Sequence, residues 1–336
     1  MDWSSNSYPL SIVTMIGGSI VLALLGAFFG LLYRGIDRKL AAHMQGRIGP
    51  PIIQPFRDIR KLLAKESIIP DGGVSWLFQA CPFIGLVVSI LLLIYIPVFG
   101  QRALLEGYGD LILILYLLII PSLALVAGGF ASGSPFATVG AQREMVIMMS
   151  YEFPLAVAII ALAWRIGHVT DINPFIFSTV AQYPIWNQVG PVGVIGSLAL
   201  LFTLLVVTPG EVAKVPFDIA EAETEIAGGL LVEYSGRNLA LFYLADTIKA
   251  FAMVSLIVAL FFPYNLSPLI GIGVPAVVVD SLFFLLKVLL VMFISVILIR
   301  TAMARFKISQ ASYIYIMAMT LVGLVGLMLI HVDMVV

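Results

Sequence analysis

The chain has 336 residues, of which 61% are hydrophobic and 11% are charged. A soluble globular domain carries about 25% charged residues, so this composition favours a polytopic membrane protein and leaves no room for a soluble domain. The formal net charge of −1 offers no basic field for nucleic acid. One cysteine, Cys81, excludes a disulfide framework or a thiolate cluster within the chain, and the three histidines show no ligand spacing (His43, His168 and His331). We therefore expect the chain to bind no metal of its own.

Eight apolar segments are long enough to cross a bilayer, which takes about 20 residues. Helix is the expected form because lipid leaves exposed backbone groups without partners, and the alternation typical of barrel strands is absent. The first residues, MDWSSNSYPL, lack a basic region and a small-residue cleavage site, so we expect the first span to be retained. The sequence thus predicts an all-α polytopic membrane protein with short amphipathic cytoplasmic helices, forming one transmembrane domain over 1–336. The predicted spans are 10–33, 76–99, 110–131, 144–164, 190–210, 239–262, 278–300 and 309–331.

Lysine and arginine gather on one side of these spans. The connections 34–75, 132–143, 211–238 and 300–308 hold 14 of the 18 basic residues, whereas the opposite side holds Arg102 and Arg165. Such a bias marks the cytoplasmic side. We therefore expect a prokaryotic cytoplasmic membrane protein with both termini outside, and we expect 34–75 and 211–238 to serve as docking and coupling segments.

The first long connection predicts a helix of its own. The stretch GRIGPPIIQPF is too rich in proline and glycine to be helical, but RDIRKLLAKES places Ile59, Leu62 and Leu63 on one stripe. Two interpretations remain open: a helix that lies among lipid headgroups, or a docking surface for a cytoplasmic partner. The basic residues of this helix and its end are Arg57, Arg60, Lys61 and Lys65.

Six charged residues fall inside or at the edge of the predicted spans. A charge at the bilayer centre costs at least ~2.5–3.5 kcal/mol, so such residues face the bundle interior and usually mark an ion or proton path. Asp246 and Lys249 are three residues apart and share a helix face. A structural ion pair or a charge at headgroup level is the competing interpretation for each residue. The six are Glu144, Glu152, Asp246, Lys249, Asp280 and Lys287.

The segment VPFDIAEAETEIAGGLLVEYSG concentrates five of the chain's 19 acidic residues. Pro216 suits the first turn of a helix, and in that helix Glu221 and Glu225 would lie four apart on one face. The apolar stretch IAGGLL indicates that the segment packs on the bundle or the membrane edge. Like charges in a poorly hydrated site raise each other's pKa, as a proton relay requires. An acidic surface loop that binds nothing is the alternative. The five residues are Asp218, Glu221, Glu223, Glu225 and Glu233.

Six motifs occur in the order and between the spans expected for one family. They are GRIGP (46–50), LLAKE (62–66), SYE (150–152), PFDIAEAETE (216–225), EYSG (233–236) and LFYLAD (241–246). With them the chain resembles the H subunit of bacterial NADH–quinone oxidoreductase over most of its length. RTAMARFKISQ (300–310) also looks like that family's basic connection before the last helix.

The resemblance implies a non-catalytic subunit at the joint between a redox arm and an ion-pumping membrane arm. It implies that the acidic segment and Glu152 belong to a chain of carboxylates that couples the two arms, and that Arg47 matches the arginine of the first loop. It also implies that iron–sulfur clusters and any NiFe centre lie on hydrogenase-like large and small partner subunits, beside antiporter-like membrane subunits. In quinone-reducing members the cytoplasmic loops form much of a quinone chamber.

Departures from the family pattern favour its hydrogenase-like branch. The stretch GRIGPPIIQPF replaces the usual GRIGPNRVGPFG, as in relatives of membrane-bound hydrogenase and formate hydrogenlyase type, which often use no quinone. Ala220 and Ala304 stand where prolines are common, and Asp246 replaces a glutamate. Quinone binding stays open as an alternative. Two further alternatives stay open: a stand-alone proton-coupled transporter and an inert membrane anchor. The lack of an inverted repeat argues against the transporter.

Overall fold

The computed structural model describes residues 12–170, 172–268 and 275–335. Within these ranges it contains eight helices long and apolar enough to cross a membrane, and no β-strand. The prediction of an all-α polytopic membrane protein is confirmed. The eight spans are Ile12–Met44, Ser75–Tyr95, Leu111–Ala131, Pro135–Val169, Pro191–Glu211, Gly236–Phe261, Ala276–Ala302 and Ile308–Val335.

Two spans are longer than their apolar runs predict. The first continues to Met44 because the stretch between Gly35 and Gly46 contains no proline or glycine that would break the helix. The fourth begins at Pro135, where a proline suits the first turn, and runs 35 residues to Val169. Hydropathy marks where a helix enters lipid, whereas helix propensity decides where it ends.

The sixth span, Gly236–Phe261, is the centre of the bundle. Of its most apolar 18-residue window, 83% is buried, the largest share among the eight spans. It packs against the first, second, third, fifth and seventh spans. A charged side chain on this helix therefore meets other protein side chains rather than lipid.

A ten-residue helix, Gln54–Leu63, follows the first span and is called the loop helix here. It confirms the amphipathic helix predicted in the first connection. Pro55 and Ile59 are buried against the bundle. Leu63, predicted on the same stripe, is 48% exposed.

The acidic segment is not one helix, and the prediction of a helix starting at Pro216 is wrong. It consists of three short turns: Ile219–Glu221, Glu223–Ile226 and Gly229–Leu231. Ala227, Gly228 and Gly229 have positive φ values of 54°, 96° and 54°, which a right-handed helix does not allow. Ala222, between Glu221 and Glu225, is extended (φ −62°, ψ 97°), so these two glutamates do not stack on a common helix face.

Candidate functional site

A buried ion pair lies in the interior of the helix bundle. Lys249 lies thirteen residues after the start of the sixth span, about 20 Å along its axis. Its Nζ lies 2.6 Å from Oε1 of Glu211, the last residue of the fifth span, and the two side chains are 5% and 2% exposed. The Lys249 Nζ also donates to Ser122 Oγ at 2.6 Å. Because both charges are removed from solvent, each depends on the other for its stability.

A tyrosine completes this polar node. The Tyr151 hydroxyl lies 3.4 Å from Ser122 Oγ and also reaches Glu211. Tyr151 is 1% exposed, so bulk water does not compete for its hydroxyl. Hydroxyl groups can both donate and accept, which allows Ser122 and Tyr151 to pass a proton between charged neighbours. We call Glu211, Lys249, Ser122 and Tyr151 the central node.

A polar cavity of about 50 Å³ joins the central node to the acidic segment. We call it the inner cavity. It has room for a few waters, each of which needs roughly 10–15 Å³. Four carboxylates and two cations line it, and Lys214 adds a third cation through its pair with Asp246, so at least one carboxylate has no cation to balance its charge. The charged lining residues are Glu144, Glu211, Glu221, Asp246, Arg34 and Lys249.

The end of the inner cavity nearest the basic connections is held by charge pairs. Asp246 Oδ2 lies 3.0 Å from Lys214 Nζ and 3.4 Å from Arg34 Nη1. Arg34 also packs over the Tyr243 ring at 5.1 Å. Burial, with Asp246 nearby, raises the pKa of Glu221 to about 6, although Lys214 and Arg34 act in the opposite direction. Glu221 therefore changes protonation close to neutral pH.

Glu152 lies on the other side of the central node. It lines a groove of about 410 Å³ between the third and fourth spans, whose walls are otherwise apolar apart from Glu211 and Tyr116. We call this the flank groove. Glu152 Oε1 is buried and accepts no hydrogen bond from the described residues. Because Glu211 lines both the inner cavity and the flank groove, it connects the two spaces.

Two arginines hold the acidic segment in place: Arg143 on the fourth span and Arg305 in the connection between the seventh and eighth spans. Arg305 donates to both oxygens of Asp218, at 2.8 and 2.6 Å. Arg143 donates to Glu225 at 2.6 Å and to the Ile219 carbonyl at 3.4 Å. Asp218 and Glu225 therefore hold the segment in place, while Glu221 turns towards the inner cavity.

Two other predicted residues of this segment lie apart from the inner cavity. Glu223 is exposed and Glu233 is half-buried. Neither side chain forms a hydrogen bond or an ion pair with another residue of the described ranges.

Asp280 and Lys287 lie at the end of the bundle opposite the basic connections. Asp280 accepts hydrogen bonds from the Leu266 and Ser267 backbone amides at 3.0 and 2.8 Å. Lys287 Nζ donates to the carbonyls of Phe262 and Tyr264, both at 2.8 Å. These contacts fix the chain that leaves the sixth span, and the structure does not bring the two residues to the central node.

The predicted basic residues of the first connection are all exposed and form no hydrogen bond or ion pair through their side chains with the described part of the chain. They are Arg47, Arg57, Arg60, Lys61 and Lys65. No group of three or more potential metal ligands occurs among the described residues.

The predictions from the sequence do not include Glu211 and Asp37 as buried charged residues of the bundle. The predicted fifth span stops at residue 210, so Glu211 falls in a connection that the sequence places in solvent. Asp37 is 2% exposed and pairs with Arg300 at 2.7 Å, although hydropathy places it beyond the first span. An acid within one helical turn of a span end is the feature that would identify both.

Comparison with known proteins places the chain among respiratory membrane subunits. The pattern of the family described as NADH dehydrogenase matches residues 18–331. The chain is 35% identical over 263 residues to hydrogenase-4 component C of Escherichia coli (strain K12), covering 77% of this chain and 79% of that protein. It is 32% identical over 234 residues to formate hydrogenlyase subunit 4 of the same organism, covering 70% and 73%.

The chain is also 32% identical over 254 residues to the H subunit of NADH-quinone oxidoreductase, a match that covers 72% of each chain. That protein comes from Bacillus cytotoxicus (strain DSM 22905 / CIP 110041 / 391-98 / NVH 391-98). Among solved structures, a chain of the membrane-bound sulfane sulfur reductase, an archaeal respiratory membrane complex, superimposes with a TM-score of 0.81 at 28% identity. That match covers 94% of this chain and 99% of the other.

Proposed function

The chain belongs to the NADH dehydrogenase family, and from that premise we propose that it is the membrane coupling subunit of a redox-driven ion pump. One observation carries the proposal: Glu211 lines both the inner cavity and the flank groove. It thereby joins Glu221 and Asp246 near the basic side to Glu152 on the flank. A row of carboxylates in this position can pass a change of protonation sideways through the membrane.

The energetics of such a relay are favourable. Reduction of an acceptor in a peripheral arm changes the charge near the acidic segment, and Glu221 responds because its pKa is about 6. One pKa unit corresponds to ~1.4 kcal/mol, and moving one charge against 100 mV requires ~2.3 kcal/mol. A shift of about two units at a coupled group is therefore of the right size to drive one ion.

We assign the chain to a pump of the membrane-bound hydrogenase type. The identity to hydrogenase-4 component C supports this assignment. Quinone reduction is the alternative, supported by the identity to the H subunit of NADH-quinone oxidoreductase.

On this proposal the catalytic cofactors belong to other subunits. Iron–sulfur clusters, and a NiFe centre in the hydrogenase-type assembly, lie on a peripheral large and small subunit, and antiporter-like subunits continue the membrane arm. The exposed loop that contains Arg47 and Ile48 faces the peripheral arm. The positive-inside bias supports an orientation with both termini outside the cell. The whole chain acts as one transmembrane domain.

The test uses the purified complex reconstituted in liposomes. Glu211→Gln and Glu152→Gln remove carboxylates from the row, and Glu106→Gln, in an outer connection, is the matched control. We expect intact assembly and continued electron transfer with at least tenfold fewer ions moved per electron in the first two variants, and no change in the control. An inert anchor predicts unchanged translocation in all three, and solute movement by the isolated chain would identify a transporter.

A further inference from the structure

Unpaired cations are concentrated on the loop helix. Lysines and arginines elsewhere in the described ranges commonly bind an acid, as Lys214 and Arg305 do. Arg57, Arg60 and Lys61 are exposed and have no hydrogen-bonding or ion-pairing side-chain partner within the described part of the chain. Three unpaired positive charges within five residues repel one another unless an anion binds them.

The loop helix also has a second apolar stripe that the bundle does not cover. Ile53, Phe56 and Leu63 recur at spacings of three and seven, which places them on one face of the helix. Ile53 and Leu63 are 58% and 48% exposed. Arg60, four residues after Phe56, lies on the same face. This face is therefore apolar towards both ends and cationic in its middle.

Contacts with the first span show how deep in the bilayer this face of the loop helix lies. The Phe56 ring lies 5.6 Å from the Phe28 ring. Phe28 precedes Arg34, the first charge after the apolar run, by six residues or about 9 Å. Phe28 and Leu24 are themselves 50% and 67% exposed. The uncovered stripe of the loop helix thus continues into the lipid-facing side of the first span.

We propose that the loop helix and the first span together bind an anionic phospholipid. Its phosphate lies on Arg57, Arg60 and Lys61, and an acyl chain runs over Phe56 and Phe28. An acidic protein surface would neutralise the cations but leave the apolar stripe without a partner at bilayer depth. A zwitterionic lipid would cover the stripe but leave three cations unneutralised. An anionic phospholipid satisfies both requirements.

The experiment titrates the purified, delipidated complex with phosphatidylglycerol and counts bound lipid by native mass spectrometry. Each basic residue at an anionic surface contributes about a fivefold gain in affinity. We therefore expect the triple variant Arg57→Gln, Arg60→Gln, Lys61→Gln to bind phosphatidylglycerol roughly a hundredfold more weakly. The triple variant Lys39→Gln, Arg237→Gln, Lys307→Gln removes the same number of positive charges outside the loop helix and should bind as the wild type does.

A second variant tests the apolar part of the site. Leu63→Asn keeps every cation, so we expect it to weaken phosphatidylglycerol binding several-fold while the peripheral subunits stay attached. Equal affinity for phosphatidylcholine, or unchanged phosphatidylglycerol binding in the first triple variant, would overturn the proposal. Loss of the peripheral subunits with lipid binding unchanged would identify the face as a protein-docking surface instead.

Discussion

Lys249→Met tests the central node by leaving Glu211 without its cation. The substitution preserves chain length and apolar volume, so the lost interaction is the 2.6 Å pair between side chains that are 5% and 2% exposed. Removing one partner of such a buried pair costs about 3–5 kcal/mol because the remaining charge stays buried. At about 2 °C per kcal/mol for a chain of this size, the midpoint of thermal inactivation should fall by about 6–10 °C.

The double variant Lys249→Met, Glu211→Leu distinguishes the stability contributed by the pair from the cost of leaving one buried charge unpaired. Replacing both charges by apolar groups is often neutral, so the double variant should recover most of the lost stability. The assay is a heat challenge of the purified complex followed by size-exclusion chromatography, with ion translocation measured on the same samples. We expect the double variant to be stable but unable to pump. A double variant no more stable than either single variant would refute the assignment of Glu211 and Lys249 as a coupled pair.

Three further predictions concern the acidic segment. Since burial raises the folded-state pKa of Glu221 from 4.5 to about 6, the contribution of Glu221 to the stability of the segment should be full below about pH 4.5 and fall by up to ~2 kcal/mol as pH rises through 6. Hydrogen exchange corrected for intrinsic rates measures this loss in the wild type, and the Glu221→Gln variant, in which the loss should be absent, isolates it from the titration of Asp218 and Glu225. Gly229→Ala should destabilise the complex by several kcal/mol, since its φ is 54° and the added Cβ would meet the Ala220 carbonyl. The control variant Gly46→Ala, at φ 70° in open space, should cost only about 1 kcal/mol. Chemical denaturation compares the stability of the two variants. Arg305→Gln removes both hydrogen bonds to Asp218, so it should lower the stability of the segment by about 2 kcal/mol and speed proteolysis near residues 217–226. An unchanged cleavage rate would show that Arg305 does not hold the segment.

The sequence predicts the spans well because hydropathy is a local property. Each predicted span overlaps one of the eight observed helices. The sequence also singles out Glu144, Glu221, Asp246 and Lys249 as candidates for an ion path, and all four line the inner cavity. A charge in an apolar helix needs an interior partner, and this requirement is visible without knowing which partner it is.

Pairing between helices cannot be predicted in the same way. Asp246 and Lys249 share a face of one helix, yet Asp246 pairs with Lys214 and Lys249 pairs with Glu211. Those partners depend on the relative depth of the fifth and sixth spans, which tertiary packing sets. Similarly, a helical pattern predicts Glu221 and Glu225 side by side, but the extended residue Ala222 interrupts the helix between them.

Redox-induced infrared difference spectroscopy tests the central claim most directly. The wild-type complex and the Glu211→Gln variant are compared as the peripheral arm is reduced, with electron transfer monitored in parallel. If the buried row responds to electron transfer, the wild type will show a carboxyl protonation band that disappears in Glu211→Gln while reduction proceeds normally. An identical band in both proteins would contradict the claim that Glu211 connects the inner cavity to the flank groove.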